Sequence, residues 1–237
     1  DGMIVSNYRI GMRVHGRVTG IQPYGAFVTL DGEHQGLIHI SECHEGYVKS
    51  ITEYLKVGQA VDVIILDIDE YTGKISSKPE DFNVFTIEGE KISVPLSVKK
   101  FQKTGFELKE NSLKERIEPQ NDSGFAYYTK DDQYLGTLFI TNNTDEKIKA
   151  KDGVIETIVI SGYEGADITF VGGLRMGEST MEDVINVLGS DYISKSEYDN
   201  RIYMQWRYTE DTGTRIETGF LDGKLNEVWI VNEEETK

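Results

Sequence analysis

No internal disulfide can form in this sequence, because Cys43 is its only cysteine among 237 residues. That excludes the small cystine-stapled folds, and a reducing, cytoplasmic setting is the expectation. Long apolar runs are missing as well: no stretch approaches the roughly 18 residues of a spanning helix, so no membrane span is expected. The opening residues, "DGMIVSNYRIG", hold neither the basic nor the long apolar segment of a secretory leader. Surface association is the alternative if a leader has been removed. Positive charge is in short supply, with 25 Lys and Arg against 41 Asp and Glu for a net charge of −16. The deficit is uneven. Residues 1–78 carry seven basic against ten acidic side chains, a net of −3, which leaves −13 on residues 79–237. A polyanion is repelled by the second segment, so any contact with nucleic acid is expected in the first.

The usual catalytic signatures are also missing. There is no Gly-x-Ser-x-Gly elbow, no phosphate loop and no dinucleotide fingerprint. His34, His39, His44 and Cys43 fall close together, but their spacing fits no zinc pattern and a second cysteine is wanting. His39 and Ser41 alternate without an acid partner, and Asp67 and Asp69 read as a strand end in water. No catalytic residue, metal or cofactor is expected, and the function class is binding.

Strand patterns fill the first segment. "RVHGRVTGI", "GAFVTL" and "GLIHIS" read as three strands, with an Asp31-Gly32 turn before the third. "SITEYLKVG" reads as a short helix or turn, "QAVDVIILDIDE" as a long fourth strand, and "YTGKIS" as a turn at Thr72-Gly73 and a short fifth strand. Five strands in about seventy residues is the plan of an OB-type barrel. "SSKPEDFN" marks the linker. Beyond it a helix-then-meander unit occurs twice. Ser97 caps a helix "VKKFQKT" in the first copy, and a Ser179-x-x-Glu182 capping box opens "ESTMEDVINVLG" in the second. The expectation is a β barrel followed by an α+β region, divided at 1–78, 79–164 and 165–237.

In "VTGIQPYGAFVTL", Gly25 permits a bend or a close backbone approach that turns Tyr24 and Phe27 toward one outer surface. Rings exposed on such a barrel carry stacked bases, at about 1–3 kcal/mol each. The alternative is that both rings are core. The ordered features "GMRVHG", "YGAFV", "GLIHISE", "VGQAVDVIILDID" and "GKIS" resemble the S1 RNA-binding domain over about residues 9–77. "DEYTGKIS" and "IQPYGAFV" are especially similar to the small one-domain S1 proteins of Firmicutes, known as general stress or virulence-regulator proteins associated with ribosomes. The resemblance implies that Tyr24, Phe27 and His39 stack on or hydrogen-bond to bases, that Lys74 meets phosphate, and that Asp69 positions donors or a ribose hydroxyl. Arg17 is a further phosphate contact by its polarity, and Arg13, Arg17 and Lys74 are expected to displace counterions. The chain departs from the family after "KIS", where acids replace a basic segment.

"FTIEGEKISVPLSVKKFQKTGF" and "GLRMGESTMEDVINVLG" more loosely resemble uncharacterised two-lobed domains of Firmicutes surface and lipoprotein-type proteins. Trp206, Tyr208 and Trp229 read as core by strand alternation, with the lining of a ligand groove as the alternative, and the Asn142-Asn143-Thr144 sequon as chance. The expectation is a non-enzymatic single-stranded RNA-binding protein, ribosome-associated or a post-transcriptional regulator, whose acidic region contacts a protein partner. The rival expectation is a surface-associated interaction module whose barrel does not bind RNA, or a fusion of unrelated domains.

Overall fold

The computed structural model describes residues 8–30, 34–44, 46–79, 83–161, 165–207 and 215–232. They divide into two units, one of residues 1–82 with Glu182–Ser190, the other of Asn83–Met181 with Asp191–Lys237. In the first unit β1 (Arg13–Gln22), β2 (Gly25–Thr29), β3 (Gln35–His39), β4 (Ala60–Ile68) and β5 (Ile75–Pro79) close a barrel in the order β1-β2-β3-β5-β4. Only the β3–β5 pair is parallel. Period-two alternation drives the closure: Val18, Ala26, Val28, Ile38, Val63, Ile65 and Ile75 all point into one buried cluster. Each such aliphatic contributes about 1.5–3 kcal/mol through burial. A bulge at Thr19 shifts the β1–β2 register between the Val18–Val28 and Gly20–Phe27 pairs. The segment expected as a short helix or turn is one 3-10 turn at Ile51–Glu53, anchored by buried Ile51. The expected linker 76–83 begins too early, because 76–79 belong to β5, paired with β4; its residues 80–82, the Asp31-Gly32 turn and Tyr208 lie outside the described residues.

The second unit begins with β6 (Val84–Ile87), β7 (Glu90–Ser93) and β8 (Leu96–Ser97), then α1 (Val98–Gln102), β9 (Glu107–Leu108), α2 (Glu110–Lys114) and β10 (Arg116–Ile117). It continues through β11 (Asn121–Lys130), β12 (Gln133–Asn142), β13 (Ile148–Lys149), β14 (Val154–Ser161) and β15 (Ile168–Thr169). The chain then passes through α3 (Met181–Leu188), all but the first residue of which belongs to the first unit, and returns as β16 (Ser194–Tyr198), β17 (Arg201–Arg207), β18 (Arg215–Leu221) and β19 (Lys224–Val231). A nine-stranded sheet runs β16-β17-β18-β19-β14-β12-β11-β9, with β8 also paired to β14. Strands from 79–164 and from 165–237 therefore lie side by side, joined through β14 and β19.

One face of this sheet is core. Ala126, Leu138, Ile158, Ile230, Ile216 and Trp206 stand in successive cross-strand register, all buried. Tyr128 lies on the same face, its hydroxyl donating to Val159 O at 3.0 Å, and burial pushes its phenol pKa well above the ordinary value. Gly136 makes that placement possible, since a Cβ there would lie 1.9 Å from Val159 O and 2.8 Å from the Tyr128 hydroxyl.

Of the two expected helix caps, one forms. Ser97 Oγ accepts the Lys100 N–H at 3.1 Å, as the sequence predicts. The Ser179 box does not form: Ser179 Oγ accepts the Arg175 N–H at 2.9 Å, closing the turn before α3, and the helix starts at Met181. The α3 helix stops before Gly189, whose N–H donates to Ile185 O. In the first unit, Arg9 Nη1 donates to Asn186 Oδ1 on this helix.

Candidate nucleic-acid interface

The surface singled out by the sequence is built around the β2–β3 pair. Gly25 sits opposite His39, and a Cβ on it would fall 2.5 Å from Ile38 O. Glycine is therefore required for the close approach of the two strands. The Ile40 N–H donates to Tyr24 O at 2.8 Å and holds the chain just before β2. Tyr24 keeps 50% of its surface exposed, and its ring meets that of half-buried Phe27 edge to face, centroids 6.3 Å apart at 88°. Both rings lie on the outer surface of the barrel, not in its core.

His39 is exposed at the end of β3 and caps the following 3-10 turn. Its Nδ1 accepts the Ser41 N–H at 3.2 Å and lies 2.8 Å from Ser41 Oγ. An acceptor Nδ1 places the neutral ring's proton on Nε2, which is left as a donor.

The register sets the order of groups along this face. Gly25 and His39 pair at one end; Phe27, Leu37 and Ser76 align in the middle; Arg17, Thr29 and Gln35 align at the other end. Lys74 precedes Ile75, which pairs with Gly36, so it joins the Gln35 end. Tyr24 and His39 therefore lie at one end of the strip, Arg17 and Lys74 at the other, with Phe27 between them. Arg17 is exposed, with Nη1 donating to Gly58 O at 2.6 Å.

Two expected participants have other employment. Arg13, counted among the cations able to displace counterions, is only 8% exposed and lies 3.8 Å from the Asp62 carboxylate. Asp62 also takes His15 Nδ1 at 2.8 Å, so Arg13 belongs to a β1–β4 polar cluster. Asp69 Oδ1 accepts the Tyr71 and Thr72 N–H groups at 3.0 and 3.1 Å and so builds the β4–β5 turn. Those backbone donors, with the Lys74 charge adding less, hold the Asp69 pKa below its ordinary value. The same turn presents Tyr71 at 102% exposure, three residues from Lys74. Sequence reasoning passed over Tyr71, although an aromatic in a polar turn with no apolar alternation around it was the available signal.

The remaining candidates for chemistry are accounted for. Burial raises the Cys43 thiol pKa, and Sγ donates to Ile40 O at 3.2 Å. Among the described residues no group of three His, Cys, Asp or Glu side chains could hold a metal ion, and no helix is long and apolar enough to cross a membrane. Asn142, the sequon acceptor, is 0% exposed. Its Nδ2 serves the carbonyls of Ile117, Glu118 and Glu146, which leaves nothing to glycosylate.

Residues 7–78 match the family model of the S1 RNA binding domain. General stress protein 13 of Bacillus subtilis is 52% identical over 73 residues, 31% of this chain and 56% of that protein. The polyribonucleotide nucleotidyltransferase of Hamiltonella defensa is 44% identical over 66 residues, 28% of this chain and 9% of that enzyme. The solution structure of GSP13 from Bacillus subtilis aligns with a TM-score of 0.30 and 53% identity, covering 30% of this chain and 55% of that one. The chain spans about half the length of the first relatives it matches. The family-model match covers the N-terminal barrel, where the motifs led us to expect an S1 domain.

Proposed function

We propose that the protein binds single-stranded RNA, free or exposed on a ribosome, through the outer strip of its N-terminal barrel. In this reading it is a non-enzymatic cytoplasmic protein acting after transcription, and its acidic second unit contacts a protein partner. Tyr24, Phe27 and His39 take the bases; Arg17 and Lys74 take phosphates at the far end of the strip; Asp69 acts through the turn it holds. The supporting observation is the separation of rings and cations on one face. A strand crossing the strip can lay bases on rings while its backbone leaves toward positive charge. Stacking should dominate, because few cations are available and the net charge of 1–78 is −3.

Fluorescence anisotropy with a short labelled single-stranded RNA tests this on the full chain. Tyr24→Ala with Phe27→Ala is expected to weaken binding by about ten- to a hundredfold or more, from roughly 1–3 kcal/mol per stacked base. Raising salt should weaken it only modestly. A folded double variant that binds as tightly as the parent would remove the proposal.

A further inference from the structure

The face of the nine-stranded sheet opposite the core carries an aromatic and acidic surface that the RNA reading leaves unused. Tyr127, Thr137, Val159, Trp229, Glu217 and Gln205 form one cross-strand row on it. Phe125, Phe139, Thr157, Val231 and Arg215 form the next row, and Glu227, Gly219 and Tyr203 a third. Phe125, Tyr127, Tyr134 and Tyr203 are between 40% and 49% exposed. Tyr127 contacts both Phe125 and Tyr134 with centroids 5.8 Å apart, and Phe139 stacks on Trp229 at 5.9 Å and 29°. The carboxylates are held in place beside these rings. Glu227 Oε1 accepts Trp229 Nε1–H at 2.7 Å, and Glu217 Oε1 accepts from Gln205 Nε2. Glu217 Oε1 also lies 3.7 Å from Arg215 Nε, an ion pair within the face, whereas Glu227 has no cation partner among the described residues and is the carboxylate left to meet one.

We infer that this face docks an arginine-containing basic segment of a partner protein. The inference rests on the protein-contact reading of the acidic unit and names the surface and the chemistry of the occupant. Guanidinium planes stack on aromatic faces while their N–H groups reach carboxylate oxygens, and this surface sets both side by side. The net charge of −13 on residues 79–237 draws a basic segment in and repels a nucleic acid. Ring geometry separates this occupant from a sugar: the Phe125–Tyr127 and Tyr127–Tyr134 pairs are inclined at 76° and 64°, not coplanar as a flat saccharide platform would be.

The probe is a labelled twelve-residue peptide of alternating Arg and Gly, titrated by anisotropy into the full chain beside its Lys-Gly and Glu-Gly counterparts. The Arg peptide should bind more tightly than the Lys peptide, and the Glu peptide not at all. Tyr127→Ser and Glu227→Gln are each expected to weaken the Arg peptide about tenfold, while Tyr24→Ala leaves it unchanged. Glu227→Gln keeps the hydrogen-bond shape at Trp229, so its result stands even if Tyr127→Ser perturbs folding. Binding indifferent to both face variants overturns the assignment of this surface but keeps a basic partner for the acidic unit. No binding of either cationic peptide overturns both, as does saturable binding of a neutral oligosaccharide that the Arg peptide does not displace.

Discussion

Gly25 shows how a single missing side chain shapes the candidate site. The strand pair can form only because nothing stands between Gly25 and Ile38 O, and the same closeness carries Tyr24 and His39 to one end of the strip. Gly25→Ala should destabilise the barrel by about 1–3 kcal/mol through overpacking, seen as a lower midpoint in thermal unfolding. An unchanged midpoint would mean that the β2–β3 pair tolerates a Cβ. At this scale the sequence was legible where the requirement is local. The glycine between two aromatics announced a close approach, and the apolar neighbours of Phe27 announced its strand. Arg13 was not legible, because its burial depends on Asp62 across a strand pair 49 residues away in sequence. Trp229 was misassigned to the core although Glu227, Val228, Trp229 and Ile230 alternate; the period placed Trp229 on the outer face with Glu227, while Trp206 is core as expected.

Among the elements, the β4–β5 turn joins sequence to function most directly. Asp69 holds it by accepting two backbone N–H groups, and the ionised carboxylate accepts more strongly than the acid. Since its pKa is lowered in the folded protein, the support is complete above the unfolded value near about 3.9 and is lost as pH falls below it through the folded value. The Tyr71 and Thr72 amide resonances should therefore titrate with a midpoint below that of an exposed aspartate. A midpoint at or above the ordinary value would show that the carboxylate does not hold the turn. Helices α1 and α3 were readable from period and flanking residues, whereas α2 and sheet membership were not. Local patterns cannot show that β14 pairs with β19, 63 or more residues onward, because that register is set by packing of the shared core face. The Ser179 box failed for a related reason: the same hydroxyl serves an adjacent turn, and the sequence ranks neither use.

Along the chain, chemistry is divided by charge. Residues 1–78 offer rings and a few cations; residues 79–237 offer rings and carboxylates. The division was visible in the sequence as −3 against −13, but the aromatic half of the second surface was not, since each ring alternates with a core residue on the same strand. The most direct test of the account is an amide chemical-shift map of the full chain titrated with a short single-stranded RNA. The account predicts shifts grouped on Arg17–Gly20, Tyr24–Thr29, Gln35–Ser41 and Tyr71–Ser76, with Phe125, Tyr127 and Trp229 unmoved. Shifts centred on the sheet of the second unit, or none at RNA concentrations that saturate other single-strand binders, would contradict it.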